Sequence, residues 1–289
     1  MDGANEMSVE PTVPKLSGNN DPFEHEERFL LEREQVARFF EAVGSRTTTE
    51  TYDPSRPISY TRTTYFDTDD YAYLRSCEGP LARRLRIREY ALAASLREPP
   101  VFSGIAFVEL KQNAGRARSK VRVSASPDLI RQLFDPVCAP EDEDEDDFGD
   151  RSPLATVERE IRMPGMAPRL TTWYRRVCLT GESGRVRITF DQNLTFYRPQ
   201  PIGLCSGSAG PDPRDAVAAG PARILEVKLW GPTPPWLGAA IQGLRPAPRF
   251  SKFRMGMMAL GRRVAPPPEG DPDPAAAPTP IAFSEGMSR

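Results

Sequence analysis

Histidine is nearly missing from this chain: His25 is the only one in 289 residues. That scarcity excludes a His-Asp-Ser relay and any zinc site built on two or three imidazoles. Cysteine is sparse too. Cys77, Cys138, Cys178 and Cys205 stand far apart, with no C-x-x-C spacing, which argues against a zinc knuckle or redox pair. The first residues, MDGANEMSVEPTVPK, have neither a basic leader nor an apolar core, so reduced thiols in a cytoplasmic protein are the expectation. No apolar run approaches the roughly 18–20 residues of a membrane span. Neither sign of charge dominates: 38 Lys and Arg face 40 Asp and Glu, a formal net charge of -2, so nothing global points to nucleic acid or an acidic membrane. A G-x-x-x-x-G-K-[ST] run is also absent, so no Walker-type loop cradles phosphate here.

Proline, by contrast, is in excess. Its 31 residues are about twice the usual share and foretell long segments without regular structure. Residues 1–22 are polar and without period, and residues 264–289 are rich in Pro and Ala; both read as disordered tails. Between them, residues 23–263 read as one domain interrupted by two surface loops. One, residues 139–151, carries the acidic run Glu141–Asp147, which reads as a solvated insertion with a decoy for a cationic groove as its rival. The other is the Gly/Ser/Pro segment 199–221.

Within that region strands dominate. Segments rich in β-branched, aromatic and Arg residues, bounded by Gly, Pro or Asp, predict strands over His25–Leu31, Tyr60–Asp67, Arg83–Ala91, Ile105–Gln112, Arg118–Ser124, Arg169–Leu179, Arg185–Asp191 and Ile224–Trp230. Helices are predicted over Glu32–Val43, Pro127–Phe134 and Lys252–Arg263. The expected fold is mainly β, a closed eight-stranded antiparallel β-barrel with flanking helices. Trp230, Trp236, Phe253, Met255, Met257 and Met258 read as packing residues.

The chemistry lies at period two. In RRLRIREY, Arg84, Arg86 and Arg88 share one face and Leu85, Ile87 and Glu89 the other. Glu109 and Lys111 alternate with Val108 and Leu110; Lys120 and Arg122 with Val121 and Val123; Glu226 and Lys228 with Leu225, Val227 and Leu229. Any one such strand could simply show its polar face to water. In a barrel, however, one face points into the lumen. The lumen would then hold Arg28, Arg86, Arg88, Lys111, Lys120, Arg176, Arg187 and Lys228, with few carboxylates in register, chiefly Glu24, Glu26, Glu109 and Glu226. Desolvated cations need partners, and the planar guanidinium fork suits phosphate oxygens. A triphosphate or longer polyphosphate is the inferred ligand. Interleaved Arg and aromatic residues, as in TTWYRRV, also raise single-stranded nucleic acid, but the net charge and inward parity weigh against it, and no nucleic acid is expected.

Several motifs occur in a fixed order: Arg28-Phe29, TTYFDT at 63–68, RLRIREY at 84–90, VELK at 108–111, SKVRV at 119–123, TTWYRRV at 171–177, VRITFD at 186–191, LEVKLW at 225–230 and FSKF at 250–253. Together they resemble the VTC (vacuolar transporter chaperone) domain, a polyphosphate polymerase module of the triphosphate tunnel metalloenzyme superfamily. The resemblance covers about residues 23–263. It implies a β-barrel tunnel in which ATP donates its γ-phosphate to a polyphosphate chain, with Mn²⁺ or Mg²⁺ as cofactor. It places phosphate and nucleotide contacts on Arg28, Arg86, Arg88, Lys111, Lys120, Arg176, Arg187, Lys228, Ser251 and Lys252, and the metal on Glu226. The first-strand basic residue is usually Lys in that family and is Arg28 here, bulkier at a tight phosphate site. Glu24-His25-Glu26-Glu27-Arg28 also approximates the E-x-E-x-K signature of the CYTH triphosphatases, which would add Glu24 and Glu26 to the metal site; alternatively the two only pair with lumen arginines. His25, of opposite parity, should point outward. Polymerase, CYTH-type triphosphate hydrolase and non-catalytic polyphosphate binder are therefore the open readings, and any membrane partner would be a separate protein.

Overall fold

The computed structural model describes residues 23–77, 79, 81–114, 117–134, 152–199, 210–221 and 223–261. The acidic run Glu141–Asp147, Cys138, Cys205, residues 1–22 and 262–289, and residues 200–209 of the Gly/Ser/Pro segment lie outside the described residues.

The strands are β1 (His25–Leu30), β2 (Thr47–Glu50), β3 (Ile58–Asp67), β4 (Arg83–Ala93), β5 (Val101–Ala114), β6 (Ala117–Ala125), β7 (Ala167–Gly181), β8 (Val186–Tyr197), β9 (Ala218–Ala219), β10 (Arg223–Leu229) and β11 (Arg245–Pro246). The helices are α1 (Arg33–Gly44), α2 (Ala72–Ser76), α3 (Pro127–Phe134), α4 (Pro153–Ile161), α5 (Pro235–Ile241) and α6 (Lys252–Ala259). All eleven strands join one antiparallel sheet in the order β11-β1-β10-β8-β7-β3-β4-β5-β6, with β2 added on β7 and β9 on β8.

The sheet corrects the expectation of a closed eight-stranded barrel. Its path ends at β11 and β6, and no ladder joins those ends among the described residues. Closure needs matched stagger and tilt, which alternation along single strands does not encode. The β11 end is also a poor continuation: Pro246 stands opposite Phe29 and has no N–H to offer a further strand.

The sheet is nevertheless strongly curled. In a flat sheet β5 and β10 would lie five strand spacings apart, about 24 Å. Yet Arg28, Glu226 and Lys228 of β1 and β10 lie within electrostatic range of Lys111 in β5, and Arg28 within range of Arg84 in β4. The two halves face each other across a trough.

Two apolar clusters cover the convex side. Leu85, Ile87, Ala106, Val108 and Leu110 of β4 and β5 pack with Leu74 of α2, Ile130 of α3 and Val157 of α4. Val186, Ile188, Phe190, Leu225, Val227 and Leu229 of β8 and β10 pack under Phe39 and Val43 of α1 and Leu237 of α5. These are the alternate residues of the strands, so the period-two pattern sorts apolar side chains outward and charged ones inward. The start of α1 is fixed by a capping box, in which the Gln35 side chain accepts from the Glu32 N–H at 2.8 Å. Asp67, at the end of β3, caps α2: its carboxylate accepts from the N–H groups of Tyr73 and Leu74 at 2.8 and 2.9 Å. TTYFDT is thus in part a structural motif. The C-terminal helix ends at Ala259, shorter than the predicted 252–263.

A candidate polyanion-binding trough

Strand register brings the charged alternates to the concave face. Arg84, Arg86, Arg88 and Tyr90 of β4 stand opposite Lys111, Glu109 and Phe107 of β5 and Tyr65, Thr63 and Thr61 of β3. Lys111 and Glu109 in turn stand opposite Lys120 and Arg122 of β6. On the other half, Arg176 pairs with Asp191, and Arg187 lies across from Lys228, which lies across from Glu26. Glu226 sits between Thr189 and Arg28.

The cations are less naked than alternation alone suggests. Glu109, with 1% of its side chain exposed, takes Arg86 at 2.7 Å, Lys120 at 2.7 Å and Arg122 at 3.1 Å. Burial would raise its pKa, but Arg86, Arg88, Lys120 and Arg122 together hold it well below the usual carboxylate range. Asp191, equally enclosed, is gripped by both nitrogens of a bidentate Arg176 at 2.6 and 2.7 Å and by Lys252 Nζ at 2.6 Å. Glu226 accepts from Arg28 Nε at 3.2 Å and sits 3.0 Å from Lys228 Nζ; these two, with Arg176 and Lys252, outweigh its burial and hold its pKa well below the usual carboxylate range. Glu26 is tied to Arg28, and Glu50 of β2 lies 3.5 Å from Arg187.

Five carboxylates (Glu26, Glu50, Glu109, Asp191, Glu226) still face eleven cations: Arg28, Arg84, Arg86, Arg88, Lys111, Lys120, Arg122, Arg176, Arg187, Lys228 and Lys252. The surplus leaves marks. Burial, reinforced by Arg86, Lys228 and Arg28 and opposed by Glu226, pushes the Lys111 pKa down to about 7. Arg88 Nε and the hydroxyls of Ser59, Thr61, Thr63 and Thr189 are buried without a hydrogen-bond partner among the described residues. All belong to concave-face residues. Such groups ask for acceptor oxygens.

The expected site residues fall as follows. Arg28, Arg86, Arg88, Lys111, Lys120, Arg176, Arg187, Glu226 and Lys228 share the trough. Lys252 reaches it from α6 through Asp191, whereas Ser251 serves as the N-cap of that helix, its Oγ accepting from the Arg254 N–H at 3.4 Å. Glu24 is exposed and outside the cluster, and Glu26 is engaged by Arg28 rather than paired with Glu24. His25 is exposed, in register with the outward Leu229. Sequence reasoning missed Asp191, Glu50 and the inward role of Arg84 and Arg122. Arg84 and Arg122 were already legible by parity; Asp191 sits four residues after Arg187 on the same face and was legible too. Glu50 was not, since β2 is short and polar and joins the sheet only through β7.

Among the described residues no group of three or more His, Cys, Asp or Glu is placed to hold an ion alone. Magnesium-type ions are commonly held by one or two carboxylates plus substrate phosphates. Glu226, with Glu26 on the far side of Arg28, fits that donor set.

The fold and the site together define a curled, open antiparallel sheet with a cationic concave wall. More particularly, the chain belongs to the VTC domain family, whose model matches residues 23–261. No curated protein matches it. Solved structures similar to it include the PH1819 protein of Pyrococcus horikoshii OT3, at 12% identity and a TM-score of 0.41, covering 82% of this chain and 98% of that one. Another is a "putative adenylate cyclase" of Bacillus halodurans, at 14% identity and a TM-score of 0.40, covering 84% and 92%. No helix among the described residues is long and apolar enough to cross a membrane.

Proposed function

We propose that the protein is a polyphosphate polymerase-like phosphotransferase that moves the γ-phosphate of ATP onto a growing polyphosphate chain. The observation that carries this reading is the excess of concave cations over carboxylates, together with the buried donors that lack acceptors among the described residues. Phosphoryl transfer needs positioning and charge neutralisation more than covalent chemistry. Arg88 presents its guanidinium to the transferring phosphoryl group, and Arg86 and Arg176 add the N–H groups that Glu109 and Asp191 leave over. Lys111, Arg187 and Lys228 offset the charge of neighbouring phosphates, and Arg28 and Lys120 hold the chain further along the trough. Lys252 contributes from α6. No protein nucleophile is required, in keeping with the scarcity of histidine. Glu226, assisted by Glu26, would hold a divalent ion, Mn²⁺ or Mg²⁺. Such an ion supplies Lewis-acid neutralisation of the leaving diphosphate.

The test is to incubate the purified protein with ATP and Mn²⁺ and analyse the phosphate products. Acid-labile polymer and ADP should accumulate, and Glu226→Ala should lower the rate at least a hundredfold. Orthophosphate as the sole product would transfer the protein to the hydrolase reading. Tight polyphosphate binding without turnover, equal with and without metal, would make it a binding domain.

A further inference from the structure

The trough has two apolar ends, and they differ. At one, α6 is packed down: Phe253 stacks on Tyr65 at 5.2 Å, both buried, beside Leu170 and Ile224. A Cβ on Gly256 would come within 2.5 Å of Leu170, so the helix backbone lies directly on the sheet there. At the other end, the row Arg84-Arg86-Arg88 continues directly into Tyr90, and Lys111-Glu109 into Phe107. Tyr90 and Phe107 meet edge to face at 6.0 Å, and half-buried Tyr52 lies 4.8 Å from Tyr90. The guanidinium carbon of Arg122 sits over the Phe107 ring, 3.9 Å from its centre, with Nη2 3.3 Å from Tyr90 Oη. Its side chain keeps 30% of its surface exposed.

A bare phosphate chain has no use for an aromatic surface at the end of a cationic row. A nucleoside triphosphate does, because its base carries a flat π-face beyond the phosphates. We infer that Phe107 and Arg122, backed by Tyr90 and Tyr52, form a stacking platform for the purine base of the donor nucleotide, with its phosphates running inward along Arg88 and Arg86. The base lies on the face of the Arg122 guanidinium turned away from Phe107, while Glu109 and Tyr90 hold its edge. Arginine planes and aromatic rings both stack on bases with little sequence preference. The platform therefore distinguishes a nucleotide from tripolyphosphate rather than one purine from another. This inference rests on the phosphate-binding reading of the trough and assigns a direction to it: the nucleotide enters at the Tyr90 end, and α6 closes the other.

Calorimetric titration of the full chain with ATP and with tripolyphosphate, without turnover, tests it. The wild-type protein should bind ATP at least fivefold more tightly than tripolyphosphate. Phe107→Leu should weaken ATP about tenfold and leave tripolyphosphate within twofold, whereas Phe107→Trp should retain or tighten ATP; retained tripolyphosphate binding reports intact folding. Equal affinity of the wild type for the two ligands, or a parallel loss of both in Phe107→Leu with ATP unimproved in Phe107→Trp, overturns the platform. Failure of the wild type to bind either ligand would instead overturn the phosphate trough on which it rests.

Discussion

Lys111 shows how a single side chain records its surroundings. Free lysine is charged throughout the neutral range, but burial and the nearby Arg86, Lys228 and Arg28 bring this one to about 7. Its folded value lies below its unfolded one, so folding sheds a proton between about pH 7 and the ordinary lysine range. The Lys111 contribution to stability therefore rises with pH across that window. A bound polyanion acts the opposite way, because it favours the charged form. Tripolyphosphate binding should take up a proton near pH 7.5, visible as a buffer-dependent heat, and affinity should fall between pH 6.5 and 8.5. Lys111→Arg should reduce that dependence and leave the part due to Lys120, which burial brings to about 8. Glu109 carries the complementary charge. Removing one partner of a buried ionic group costs about 3 kcal/mol, so Glu109→Gln should lower unfolding stability by about that amount in denaturant titrations. Added tripolyphosphate should restore most of the loss, since it replaces the missing negative charge among Arg86, Lys120 and Arg122.

Among the elements, α6 is the one whose position the trough depends on most. It begins at a Ser251 cap, sends Lys252 to Asp191 and lays Gly256 against Leu170 and Phe196. Glycine inside a helix costs roughly 0.5–1 kcal/mol relative to alanine; here it permits a backbone approach that no Cβ would allow. Gly256→Val should destabilise the protein by about 2–3 kcal/mol through overpacking, read as a lowered thermal midpoint. It should weaken tripolyphosphate binding as Lys252 is drawn away from Asp191. The strands required less inference. The alternation in β4, β5, β8 and β10 could be read residue by residue, and their observed faces follow it. Of the elements not anticipated, β2, β9, β11, α2 and α5 are short and carry weak periodic signal, whereas α4, nine amphipathic residues opened by a Ser152 cap and Pro153, was legible in the sequence and was missed.

At the scale of the whole molecule, concentrated like charge opposes folding, so a ligand that neutralises it should stabilise the native state by mass action. One site at a hundredfold excess over Kd contributes about 2.7 kcal/mol, which for a chain of this size raises Tm by roughly 5–10 °C. Tripolyphosphate should produce that shift in a thermal melt, and sulfate at equal ionic strength should fall well short of it. A shift with sulfate as large as with tripolyphosphate would mean general screening rather than a site.

The residues themselves determined which side chains share a face, because the pleat of a strand places alternate side chains on opposite sides whatever the strand is next to. That parity was enough to point to a cationic inner wall and an apolar outer one. Only the tertiary structure decided that the sheet curls without a closing ladder, that Glu50 joins Glu109, Asp191 and Glu226 among the cations, and that α6 packs at one end while Tyr52, Tyr90 and Phe107 gather at the other. Each of these depends on contacts between segments far apart in the chain, and alternation within one strand carries no information about which distant strand will lie opposite.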